Sequence, residues 1–204
     1  MTRLLTIMLT TALLVGCSTQ PTKPAGKPQP KGPEPVTGRY AFQKLYVAAH
    51  GWARDAQPYQ LLSLTTSDSK GAEGKSCVWR AGFASSVQRG TKPYVWSGSD
   101  AQDAPPRGVN PGTEDTYNPN NSSTQVFDMG FLKIDSDKAL EVAKAHGGDK
   151  VLAKSPDTPI LYVLDWSHST NQLIWHVIYG NSRDDAKLRV AVDATSGEFI
   201  RVEK

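Results

Sequence analysis

The chain predicts an α+β fold in which a helix lies over a small antiparallel sheet, and it predicts that unit twice. Three observations carry the prediction. Phe42, Leu45, Ala49 and Trp52 recur at helical spacing and are followed by runs that alternate with period two. The same order, helix and then strands, returns in the C-terminal part from Ala139 onward. An offset of 96 residues also lays His50-Gly51 on His146-Gly147, Trp79 on Trp175, Phe83 on Tyr179, Tyr94 on Val190 and Trp96 on Val192, the mark of a weak internal repeat. Such a unit buries one sheet face under its helix and leaves the other for solvent or a partner.

Residues 1–16 come first and read as a segment to be removed. Arg3 supplies a small basic head, residues 4–15 are mostly apolar, and Gly16 precedes Cys17. The apolar run is too short for a lasting membrane span, and its flanks indicate export and processing. The four residues Leu14-Val15-Gly16-Cys17 resemble the lipobox of bacterial lipoprotein signal peptides. That resemblance implies cleavage before Cys17, diacylglycerol thioether-linked to its sulfur, and an N-acyl chain such as palmitate. Two or three acyl chains hold durably, because each buried CH₂ contributes about 0.8 kcal/mol. Ser18 follows the cysteine; in the resembled lipoproteins an Asp there favours the inner membrane, so Ser18 implies the outer membrane, facing the periplasm. An ordinary secretory peptide with a chance cysteine is the alternative.

The stretch 17–37 carries Pro21, Pro24, Pro28, Pro30, Pro33 and Pro35, with Lys23, Lys27 and Lys31 between them. Proline fixes φ and removes a donor, so neither helix nor sheet can use it. It is expected to be a semi-rigid tether, reaching on the order of 60 Å at about 3.1 Å per residue. Losing residues 1–16 removes Arg3 and no acid, which takes the formal net charge from +3 to +2. That is too little to announce a nucleic-acid surface. With Cys17 lipidated, Cys77 has no intramolecular disulfide partner and reads as a small buried thiol.

The first unit, 38–98, has its helix around Phe42 to Trp52, approached by Thr37-Gly38 and stopped before Pro58. Strands are expected at 59–66, at 77–84 (where Cys77, Trp79, Ala81 and Phe83 alternate with their neighbours) and around Tyr94 to Trp96. Residues 67–74 read as a hairpin loop. The connection 99–132 is rich in Pro, Gly, Asn and Ser, punctuated by Pro105-Pro106, Asn110-Pro111-Gly112 and Asn118-Pro119. It is either a mobile linker or a recognition loop anchored by Tyr117. In the second unit, 133–204, Asp135 or Ser136 caps a helix with the stripe Ala139, Val142, Ala143 and His146, and Gly147-Gly148 supplies its stop. Strands are expected at 160–166, 173–179, 188–194 and 198–202.

The run Ala139-Leu140-Glu141-Val142-Ala143, then Tyr162-Val163-Leu164, Trp175-His176-Val177 and the tail Asp193-Ala194-Thr195-Ser196-Gly197-Glu198 resembles the PepSY and PepSY-like family. The likeness covers 133–204 and, more faintly through the repeat, 38–98, which lacks the tail motif. It implies one or two modules of helix over antiparallel sheet in an exported protein, some of whose kind are thought to inhibit or regulate peptidases, and no shared catalytic group. Asp193, Ser196 and Gly197 are expected to shape a turn and not an active site.

No motif for catalysis stands out. His168, His176 and Asp184-Asp185 match no closed zinc pattern, and His50 with Cys77 would need a third orienting group to act as a nucleophile pair. The expectation is therefore a non-enzymatic protein without cofactor or metal. Trp79, Trp96, Trp166 and Trp175 are heavy aromatic content for small sheets and, with Tyr117, are the candidate partner contacts, although alternation sets Trp166 on a face with Tyr162 and Trp175 with Tyr179 and so reads most of them as core. Two functions remain: binding or regulating an envelope protein or peptide, a peptidase among the candidates, or serving as a structural scaffold of an envelope complex.

Overall fold

The computed structural model describes residues 31–203; Cys17, the signal segment and most of the proposed tether lie outside them. An antiparallel sheet runs through the described body. Its longer strands are β1 (Gln57–Leu64), β2 (Val78–Ser85), β3 (Gly90–Ser97), β4 (Gly108–Pro111), β5 (Ile160–Ser167), β6 (Gln172–Tyr179), β7 (Leu188–Asp193) and β8 (Phe199–Glu203). They stand in the order β8-β7-β6-β5-β1-β2-β3-β4, and the two-residue strand Asp115–Thr116 also pairs with β3, making nine. The chain therefore folds as two four-stranded meanders whose first strands meet at a β1–β5 seam, with Leu61 opposite Leu164. Helices pack against this sheet: the fold is α+β, as the periodicities predict.

Helix α1 (Gly38–Trp52) buries Phe42, Leu45 and Ala49 of the expected stripe, with Ala41 beside them, against β1 to β3, while Trp52 is half-buried at its end. Helix α2 (Ser136–Ala143) buries Ala139, Leu140 and Ala143. Gly147-Gly148 bends this second helix and does not end it. Lys144–Gly148 forms a π-turn in which His146 and Gly147 leave helical dihedrals, and the chain resumes as α3 (Asp149–Lys154). Only Gly147 is left-handed, at φ +115°. His146, expected on the buried stripe, instead lies outside and stacks on Phe199, ring centroids 3.8 Å apart.

The helices start where the units touch. Ser136 Oγ accepts from the Gly38 N–H (2.8 Å) and donates to the Gly74 carbonyl (2.6 Å). Asp135 Oδ1 accepts from the N–H groups of both Arg39 (2.9 Å) and Ser136 (2.7 Å), so one carboxylate caps two helices. Beneath them, Trp79 and Trp175 are wholly buried, with centroids 6.4 Å apart in a T-shaped pair. Trp79 donates to the Val36 carbonyl (3.0 Å) and Trp175 to that of Ile134 (2.9 Å), each two residues ahead of a helix start. A Cβ on Gly38 would sit 2.7 Å from the Trp175 ring, so glycine lets α1 come down onto both indoles.

The strand offset of 96 holds across the hairpins: Trp79 faces Trp96 as Trp175 faces Val192, and Phe83 faces Lys92 as Tyr179 faces Leu188. Gly38 and Ser136 show that the helix starts are out of step with it by two residues, so the His50-Gly51 and His146-Gly147 coincidence is not a structural equivalence.

Three stretches depart from expectation. Val36–Thr37, at the end of the stretch expected to join no sheet, pairs antiparallel with Lys75–Ser76, since neither residue is a proline and both keep their N–H donors. Pro58 lies inside β1 at a bulge, where proline is tolerated because the ladder is already broken. The stretch read as linker or loop carries β4 and the Asp115–Thr116 strand, both paired to β3. Where the described chain begins, Arg107 donates to the carbonyls of Lys31 and Gly32, both at 3.0 Å, and pairs with Asp100 (2.9 Å).

Candidate functional site

The helices and the core lie on one side of the sheet, the side of Trp79, Tyr162 and Trp175. Alternation turns the next residues to the opposite side. One register row crosses seven strands there: Val95, Arg80, Leu62, Val163, His176, Ala191 and Arg201 face one another in sequence. Helices α1 and α2 pack on the other side, and the short turn Ser122–Thr124 lies beside Gln60 and Asp165 at one end of this face. Its middle, around the β1–β5 seam, is half-buried and apolar through Leu62, Leu161, Val163 and Val95, with Arg80 exposed beside it.

Toward β8 the same face becomes polar and closed. His176 is 6% exposed, lying between Ile174 and Ile178 along β6. Its Nε2 is 3.0 Å from Asp165 Oδ1 on β5 and its Nδ1 is 2.9 Å from Glu203 Oε2 on β8. Arg183, from the loop after β6, reaches the other oxygen of Asp165 (3.1 Å), and Arg201 reaches the other oxygen of Glu203 (3.1 Å). Burial works against a charged ring, but hydrogen bonds and proximity to Asp165 and Glu203 outweigh it and hold the imidazole above its ordinary value. Glu203 moves the other way: burial opposes its charge, and His176 with Arg201 and Arg183 brings it below the usual range.

The sequence-predicted partner contacts do not converge. Trp79 and Trp175 are core, and Trp96 is nearly so at 5% exposure, edge-on to Tyr40. In this conformation those three are closed to a partner, because the helices cover the face on which they stand. Trp166 is half-buried against Phe131, with centroids 5.1 Å apart. Tyr117 is half-buried far along the connection, its N–H donating to the Arg89 carbonyl (3.0 Å). The turn residues work as a local unit. Asp193 Oδ1 accepts from the N–H groups of Thr195 (2.7 Å) and Ser196 (2.8 Å), Ser196 Oγ accepts from the Glu198 N–H (3.2 Å), and Gly197 takes φ +80°.

Cys77 is buried, and burial pushes its thiol up, away from the reactive thiolate. Among the described residues no cluster of three or more His, Cys, Asp or Glu side chains is arranged to hold a metal ion. No described helix is long and apolar enough to cross a membrane.

Sequence reasoning missed the open-face row and the Asp165–His176–Glu203 chain. Alternation along β6 sets His176 on one face with Ile174 and Ile178, but its partners sit on β5 and β8 and become neighbours only once the register is known.

No family model matches the chain, and no curated protein matches it in sequence. A solved structure of similar fold is that of a "putative lipoprotein" from Clostridium difficile 630, with a TM-score of 0.51 at 12% identity over 80% of this chain and 91% of that one. At that identity the likeness is one of fold: helices packed against an antiparallel sheet.

Proposed function

We propose that the protein is a lipid-anchored envelope protein with two PepSY-like modules, 38–98 and 133–204, and that the uncovered face of their shared sheet binds another envelope protein or peptide. The observation that carries the binding reading is the row across the seam, where Leu62 and Val163 stand side by side next to exposed Arg80. An apolar centre with one arginine beside it suits a partner presenting aliphatic side chains and an acidic one. The anchor rests on Leu14-Val15-Gly16-Cys17, and the fold likeness to a protein described as a "putative lipoprotein" agrees with it. A scaffold role for the same body is the second reading.

Capture from detergent-solubilised envelopes tests the proposal with three full-length baits. Wild-type protein is expected in the membrane fraction with a partner bound. The double variant Leu62→Glu/Val163→Glu is expected to stay in that fraction and lose the partner, because two carboxylates on the apolar strip oppose an acidic, aliphatic ligand. Cys17→Ser should leave the membrane fraction altogether. Equal recovery by the first two baits would exclude the open face, and membrane retention of Cys17→Ser would exclude the anchor.

A further inference from the structure

We propose that Asp165, His176 and Glu203 form a proton-dependent latch on the C-terminal edge strand, closed while the imidazole carries both its protons and released when it loses one. This goes beyond the binding proposal and does not depend on it.

The geometry demands the second proton. Both ring nitrogens sit at hydrogen-bond distance from a carboxylate oxygen, 3.0 Å to Asp165 and 2.9 Å to Glu203. An ionised carboxylate can only accept, and a neutral imidazole has a single N–H, so only the imidazolium satisfies both contacts. Charged groups reach the cluster from each polar neighbour: Asp165 on β5, Arg183 from the β6–β7 loop, and Arg201 with Glu203 on β8, while Asp184 and Lys187 of that loop line the same hollow as Glu203. Arg189 on β7 stands opposite Glu203 in the ladder. Val163 and Ala191, which flank the ring on β5 and β7, are apolar. Each carboxylate thus has an arginine on its second oxygen, and the charge on Glu203 is favoured by His176, Arg201 and Arg183 around it.

The latch acts on a weakly held element. β8 has five residues, pairs with β7 alone, and its register shifts at Ala191/Val192. Glu203 is at its end, and through His176 it is tied to β5, beyond β7 and β6. Raising the imidazole's affinity for its proton makes this contribution complete below the ordinary histidine value and removes it as pH rises through the folded one. Glu203, shifted down, contributes above the ordinary carboxylate value and loses its part as pH falls through its own folded one. The latch is closed between those two limits. Above the upper one the neutral ring can donate to only one of the two carboxylates, so an oxygen of Asp165 or Glu203 faces a ring lone pair, and opening β8 to water relieves it. Opening uncovers the backbone edge of β7, which can then take another strand.

The test is hydrogen exchange of the β8 amides with pH, corrected for base catalysis, beside an NMR titration of His176 on the same protein. Protection of β8 is expected to fall by on the order of tenfold or more as the ring loses its proton, with the β1–β5 seam amides unchanged. Glu203→Gln is the decisive variant. A neutral ring can donate through Nε2 to Asp165 and accept at Nδ1 from the new amide, so β8 should stay protected across the same range. Flat protection in the wild type, or the same pH step in Glu203→Gln, would overturn the latch.

Discussion

Replacing Trp175 with Ala should lower the free energy of unfolding by about 3–5 kcal/mol, the range for deleting a buried large aromatic. The indole is fully buried, carries the hydrogen bond to the Ile134 carbonyl that fixes the approach to α2, and lies edge-on to Trp79. It also touches Gly38, so one side chain contacts the start of both helices and the seam between the units. The denaturant midpoint should drop with an unchanged slope, and the melting temperature by roughly 10 °C for a body of this size. Trp175→Phe keeps most of the apolar contact and leaves the Ile134 carbonyl without its donor, so it should cost less, on the order of 1–3 kcal/mol. Because Trp79 shares the cluster, the effects of Trp79→Phe and Trp175→Phe should not add. A midpoint for Trp175→Ala within about 0.5 kcal/mol of wild type, the range of an ordinary surface change, would place the indole outside the core.

Gly71→Ala should be destabilising on a comparable scale although it adds only a methyl group. Gly71 sits at φ +77° in the loop between β1 and β2, and a Cβ there would overlap the Ile160 carbonyl oxygen at the start of β5. The loop is stitched to that strand by the Ile160 N–H to the Lys70 carbonyl (2.9 Å) and by the Tyr162 hydroxyl to the Gly71 carbonyl (2.6 Å). Left-handed backbone costs an alanine roughly 1–2 kcal/mol by itself. Displacing the loop then leaves the buried Tyr162 hydroxyl unpaired, for a further 1–3 kcal/mol or so. Equilibrium unfolding measures the sum. Tyr162→Phe separates the parts, since it loses the hydroxyl contact without the backbone strain and should fall well short of Gly71→Ala.

These two positions show what the sequence could and could not convey. Trp175 was legible as one of an equivalent pair with Trp79, and the alternation of β6 gave it a common face with Tyr179. Which face the helices cover was not legible, because both faces of β6 are apolar: Ile174 and Ile178 are as buried as Trp175. β4 went unseen because Gly108-Val109-Asn110-Pro111 offers a single apolar side chain; an edge strand is defined by its partner's backbone more than by its own pattern. α3 went unseen because two glycines look like a stop. Gly148 in fact has right-handed helical dihedrals, and a Cβ on it would overlap the Tyr179 hydroxyl, so it serves close packing there. The hairpins of the second unit were clearest, since Ile160–Ser167 and Gln172–Tyr179 join through a short turn that fixes their register.

The candidate site was the least legible part. Leu62 and Val163 are adjacent only because the two meanders join at their first strands, a pairing between residues about a hundred positions apart. No local pattern encodes it. The same holds for Glu203 and Asp165, which meet His176 from strands on either side of β6 and β7.

Site-specific photo-crosslinking in intact cells tests the binding claim most directly, with the reactive side chain placed at Leu62 or Val163 on the open face and at Gln43 on the exposed side of α1. Adducts to one envelope protein from positions 62 and 163, and none from 43, are the expected result. Adducts confined to position 43, or none from either open-face position, would contradict it.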